Sequence, residues 1–123
     1  MRVPDFLARQ FYISRSLRNR PDGFELQATN GMGDGTLVGI GPIEVDGYPV
    51  DPRALSAIRS GETEPISAAS VDRTNPIHVR KGDRVTIVVR GPQLLPGRHE
   101  LRVRLVELNI GPLEFKISDK LTP

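Results

Sequence analysis

The sequence predicts an all-β protein: an antiparallel β-sandwich or jelly roll of about eight strands. Three observations carry that prediction. Short apolar–polar runs alternate with a period of two, as half-buried strands do. Twelve glycines and eleven prolines punctuate these runs instead of collecting in one linker. A helical period of 3.6 fits none of the alternating runs.

The elements follow in chain order. The stretch "FLARQFYIS" is read as a first strand over residues 6–14. "FELQA" places Phe24, Leu26 and Ala28 on one face of a strand over 23–29, with Glu25 and Gln27 opposite. A third strand is read over 36–45, leaving the glycine-rich "NGMGDGTLVGIG". Asp46-Gly47 then turns it into a short strand over 48–51, because both central residues of such a hairpin accept positive φ. "DPRALSAIRSG" allows two readings. Asp51 could cap and Pro52 could open a helix of barely two turns, or the segment could be an extended edge over 55–60.

Strands over 76–80 and 83–90 flank Lys81-Gly82-Asp83, read as a second hairpin turn, and the latter strand points Val85, Ile87 and Val89 inward. Pro96-Gly97, a dipeptide suited to a type II turn, leads into a strand over 98–108. There Leu101, Val103 and Leu105 oppose Glu100, Arg102 and Arg104. The closing strand over 112–118 repeats the scheme with Leu113, Phe115 and Ile117.

Length predicts one domain, residues 1–123, large enough to bury a core without a staple. The chain has no cysteine, which removes disulfides, thiolate zinc sites and a thiol nucleophile and fits a reducing compartment. Arg9, Gln10 and Pro4 interrupt the N-terminal apolar residues, so no secretory h-region forms there, and no run approaches the length of a membrane span. A cytoplasmic protein of bacterial type, with no membrane partner, is expected. Seventeen basic and fifteen acidic side chains interleave to a net charge of +2, and aromatics are scarce. That pattern lacks the basic stripe and stacking platform of a nucleic-acid binder.

The glycine-rich stretch raises the question of a phosphate cradle. The dinucleotide fingerprint G-x-G-x-x-G fails twice: the sixth position from Gly31 is Thr36, and from Gly33 it is Val38. No lysine follows as a P-loop requires, and the next element is a strand, so a loop or bulged strand connection is the better reading. His78 alternates with Ile77 and Val79 and should face away from the core, and His99 follows a turn. Two surface histidines are the simpler reading than a jelly-roll metal site assembled across strands. No serine lies in a G-x-S-x-G elbow, and Glu62, Glu64, Asp72 and Asp83 sit in turns, where acids are ordinary solvated residues. Arg102, Arg104, Arg84 and Arg90 read as a solvated face, a guard on an exposed edge, or a docking face for an acidic partner. The residues alone define a sandwich without a catalytic set.

Five segments in order resemble the small β subunit of bacterial C-glycoside deglycosidases. They are "SLRNRPDGFEL" (16–26), "PIEVDGYPVDP" (42–52), "VRKGDRVTIVV" (79–89), "LLPGRHELRVRL" (94–105) and "PLEFKISDKL" (112–121). The resemblance implies a noncatalytic subunit of a carbon–carbon lyase, inactive alone, in a higher-order hetero-oligomer. Its partner would be a TIM-barrel α subunit similar to sugar-phosphate isomerases and epimerases. That partner would carry a divalent metal, typically manganese, and the catalytic groups. The complex would cleave the sugar–aglycone bond of 3-oxo-C-glycosides of flavonoid type by β-elimination, as part of carbohydrate catabolism. No catalytic residue, metal ligand or cofactor is expected in this chain. Phe11, Tyr12, Arg15, Met32 and Asp34 are candidate partner-interface or substrate-entrance residues, the first three because exposed aromatics and arginines anchor interfaces, while simple core packing is an equal reading of Phe11. The alternative is a carbohydrate-binding or protein-interaction sandwich without catalytic activity. A sugar site would normally stack its ligand on exposed aromatics, and this chain has no tryptophan.

Overall fold

The structure is a computed structural model describing residues 2–31 and 33–123. Two antiparallel sheets face each other. The first takes β1 (Arg18–Arg20), β2 (Gly23–Thr29), β8 (Arg84–Arg90), β5 (Leu55–Arg59) and β6 (Ile66–Ser67), in that spatial order. The second runs β10 (Gly111–Lys120), β9 (Arg98–Glu107), β3 (Gly35–Val45) and β4 (Tyr48–Pro49), with β7 (Ile77–Val79) also paired to β3. The predicted sandwich is the observed architecture.

Period-two alternation builds the core. Phe24 and Leu26 on β2, Val85, Ile87 and Val89 on β8, Leu101 and Val103 on β9, and Leu113 and Phe115 on β10 are all buried. Leu17, Leu26, Ile43, Leu55 and Leu101 are almost wholly out of solvent, each contributing on the order of 1.5–3 kcal/mol of transfer free energy. The β9–β10 hairpin keeps one register from Gly111↔Glu107 to Lys120↔Arg98, so its apolar residues share the inner face. Its outer face carries a charge ladder: Arg102 reaches Glu44 and Glu114, Arg104 reaches Glu114, and Lys116 reaches Glu100. Arg102 and Arg104 therefore neither guard an edge nor form a bare cationic face, since β9 lies between β10 and β3.

Four local expectations are corrected. Residues 6–14 are not a strand. The Pro4 carbonyl accepts from the amides of Leu7 and Ala8, opening one helical turn, α1 (Asp5–Ala8), and Tyr12 alone forms a β-bridge, with Ala28. Leu7 and Phe11, like Ala8 and Tyr12, stand four residues apart, a helical spacing that the alternation reading overlooked. The "DPRAL" segment does not form a helix of two turns, and the strand expected over 55–60 forms but not as an edge. Asp51 accepts from the Arg53 amide at 2.9 Å to cap a 3-10 turn (Pro52–Ala54), and the chain continues as β5, inside the sheet between β8 and β6.

Lys81-Gly82-Asp83 does not close a hairpin. It carries the chain from β7 in one sheet to β8 in the other, anchored where the Gly82 amide donates to the Asn30 carbonyl at 2.7 Å. Finally, the sequence reading missed β1 and β6, which are short and mainly polar at the sheet edges and show no alternation. The Asp46-Gly47 expectation agrees with the geometry: φ is 52° and 84° at the two residues, as a two-residue hairpin demands.

Candidate functional site

The two sheets do not close on each other everywhere. Leu17, Ile43, Leu55 and Leu101 pack solidly, but elsewhere the inward faces stand apart around a cavity of about 720 Å³. The walls come from Leu26 and Ala28 on β2, Val85 and Ile87 on β8, Leu37 and Ile40 on β3, and Val103 and Leu105 on β9. Leu113, Phe115 and Ile117 of β10 continue them, and Leu7, Phe11 and Tyr12 lie across one side. Leu7, Phe11, Leu37, Ile40, Leu105 and Ile117 are consequently only half-buried although they sit on the core side. An open, almost wholly apolar space of this size is within the range of small-molecule sites, roughly 300–1,000 Å³.

The mouth is polar and acidic. Asn30, Gly33, Asp34 and Gly35 from the glycine loop meet Glu107, Asn109 and Ile110 from the β9–β10 turn. A Cβ placed on Gly35 would lie 3.5 Å from the Asn30 amide nitrogen and 3.9 Å from Glu107 Oε2, so both side chains converge above this glycine. Glu107 Oε2 accepts from the Thr36 amide at 3.0 Å, and Oε1 accepts from Asn109 and Ile110 at 2.7 and 2.9 Å. These amides, Thr36 foremost, hold the Glu107 carboxyl below its ordinary pKa. Asp34 accepts from the Lys81 amide at 2.9 Å. Among the described residues, Asp34 and Glu107 are the charged members of the lining, and no Lys or Arg joins them.

Two polar clusters brace the frame. The Tyr12 hydroxyl donates to buried Asp119 Oδ2, which also accepts from the Arg15 amide at 3.0 Å. Burial first, and then the bond to Asp119, pushes the Tyr12 pKa well above the usual phenol value. On β9 of the same sheet, His99 Nδ1 faces Asp46 Oδ2 at 2.6 Å and Nε2 faces the Leu95 carbonyl at 2.7 Å. The bond to Asp46 raises the pKa of His99, and the same contact lowers that of Asp46.

The predicted site residues scatter. Phe11 lines the cavity, its ring centroid 5.3 Å from that of Phe115. Tyr12, expected as an exposed anchor, is 8% exposed and belongs to the core. Arg15 is exposed, at φ 66°, and contributes its backbone: its carbonyl accepts from the Thr122 hydroxyl. Asp34 stands at the mouth, and Met32 lies outside the described residues. His78 is exposed as expected, whereas His99 is bracketed by Asp46 and Leu95 instead of being a plain surface histidine. Asp72 organises its own turn through Thr74 and Asn75. Among the described residues, no three metal-ligating side chains cluster as a metal site requires. Sequence reasoning missed Glu107 and the cavity itself. The available signal was the glycine loop, which proves to be a rim.

Fold and site together define a β-sandwich with an apolar cavity between its sheets and an acidic mouth. The chain belongs to the family described as hydroxymethylglutaryl-CoA reductase, N-terminal domain, whose match spans residues 7–122. No curated protein matches it. The family match overturns the resemblance to a C-glycoside deglycosidase β subunit, and with it the lyase and the cleavage of flavonoid C-glycosides. The misleading segments are turn-and-strand pieces. Asp46-Gly47 makes a hairpin, Pro96-Gly97 precedes β9, and Leu17 next to "RN" fills the core before β1. Any antiparallel sandwich needs such pieces, so they identify a fold and not a lineage. The manganese-bearing TIM-barrel partner entered only with that resemblance. Among the described residues, no helix is long and apolar enough to cross a membrane.

Proposed function

We propose that this chain is a noncatalytic binding module of the hydroxymethylglutaryl-CoA reductase family, and that its cavity receives an apolar ligand. One observation carries the reading: core-side aliphatic and aromatic residues from both sheets stay half-exposed around about 720 Å³ of shared space. Covering that surface removes apolar area from water, worth about 25 cal/mol per Å². The hydroxymethylglutaryl-CoA of the family's name carries a carboxylate and phosphates. Asp34 and Glu107 at the mouth repel such anions, so the cavity is not assigned to that substrate. A cytoplasmic location belongs to the same proposal, supported by the cysteine-free composition.

Nile red, a neutral dye that brightens and shifts to the blue in apolar surroundings, tests the reading. Saturable binding of one dye per chain, displaced by 1-decanol, is the expected result. Ala28→Phe projects a ring from the β2 wall and should weaken binding by about tenfold or more while circular dichroism still reports the sheets. Dye binding that never saturates, or that ignores Ala28→Phe in a folded protein, overturns the reading.

A further inference from the structure

The mouth has a chemical preference that the walls do not. We infer that the natural occupant is a single-chain amphiphile with a cationic head, its alkyl chain between the sheets and its head between Asp34 and Glu107. This rests on the cavity reading above and adds the class of ligand.

The charge distribution is one-sided. Among the described residues lining the cavity, Asp34 and Glu107 alone are charged, and both sit at the rim, where Asp34, Asn109 and Ile110 are exposed. Glu107 is fixed by three main-chain amides, from Thr36, Asn109 and Ile110, so its carboxylate is held ionised and oriented, with no cationic side chain paired to it among the described residues. Asp34 is oriented by the Lys81 amide, again a main-chain donor. An ionised carboxylate offers about four acceptor positions, so these bonds leave capacity on both groups. Arg80 and Lys81 are the cations of the adjoining β7–β8 connection, and neither lines the cavity.

The surroundings strengthen the field. The space behind the rim is lined by Val79, Leu37 and Leu105, and apolar walls focus the potential of fixed charges toward the opening. An ammonium head meets two carboxylates together with Asn30 and Asn109 at the rim. A fatty carboxylate would have to place its own charge against the same pair. The alkyl part finds no polar demand deeper in: the hydroxyl of Tyr12 already donates to Asp119, so only its ring is offered to the ligand.

Decylammonium, 1-decanol and decanoate share one chain length and differ in head charge. Each should be titrated below its micelle concentration against the Nile red complex of the whole chain. The expected order of affinity is decylammonium, then decanol, then decanoate, with about tenfold or more between the two ions at low salt. Raising the salt should compress that ratio, because exposed charges are screened. Asp34→Asn should narrow it, and Asp34→Asn with Glu107→Gln should bring the three ligands together. If the double variant does not fold, Asp34→Asn and the salt series carry the test.

If decanol or decanoate equals decylammonium, or if the ratio ignores both salt and Asp34→Asn, the head-group assignment is overturned and the cavity reading stands. If Ala28→Phe leaves decylammonium binding intact, the ammonium sits on the surface and the assignment is likewise overturned. If none of the three displaces the dye, the cavity reading itself fails.

Discussion

At the scale of single residues, two contacts make sharp predictions. His99 faces acceptors with both ring nitrogens, and only the imidazolium can donate to both. Its folded pKa lies above the ordinary 6.5, so its contribution to stability is complete below that pH and disappears as pH rises through the folded value. Asp46 runs the other way: its pKa falls below 3.8, so its contribution is present above that value and lost as pH falls through the lowered one. The β3–β4 turn is therefore held best between about pH 4 and 6.5. Nuclear magnetic resonance should place the His99 midpoint above 6.5, and Asp46→Asn should bring it down; an unmoved midpoint refutes the coupling. Tyr12→Phe removes the hydroxyl donor from buried Asp119 and should destabilise the chain by about 1–3 kcal/mol in urea unfolding.

At the scale of elements, the strands obey two kinds of signal. Runs with a buried and a solvated face, such as β8, β9 and β10, could be read directly because alternation is imposed by the pleat itself. Elements defined by a neighbour could not. β1 and β6 contribute polar edges, and β5 owes its interior place to pairing with β8 and β6. The entrance to β2 is a tight spot: a Cβ on Gly23, at φ 151°, would stand 2.0 Å from the Val89 carbonyl oxygen. Gly23→Ala should cost more than about 3 kcal/mol, from a backbone clash added to an unfavourable φ. A loss below about 1 kcal/mol in chemical denaturation would show that β2 and β8 part easily there. Within β3, Gly41 at φ 94° marks the irregular register against β9.

At the scale of the whole molecule, stability and binding are linked. A ligand that enters the cavity binds the folded chain and not the unfolded one, so it raises the melting temperature in proportion to the logarithm of its concentration. At a hundred times its dissociation constant a ligand adds about 2.7 kcal/mol. Thermal melts with increasing decylammonium should climb for the native chain and stay flat for Ala28→Phe. A fall in both would mark the amphiphile as a denaturant and remove the link.

The sequence by itself determined the sandwich, the inward residues of its main strands, and the failure of "NGMGDGTLVGIG" as a phosphate cradle. Each follows from local periodicity or from spacing along the chain, which a sequence displays directly. The same locality explains the misplaced family, since turn dipeptides and alternating runs are common to unrelated sandwiches. Tertiary structure alone decided that the glycine loop meets Glu107, more than seventy residues away, and that Leu37, Ile40, Leu105 and Ile117 line a space instead of closing it. The physical reason is that a cavity is a property of the distance between two sheets. No single strand carries that distance in its pattern, because an inward leucine reads the same whether it meets a neighbour or an opening.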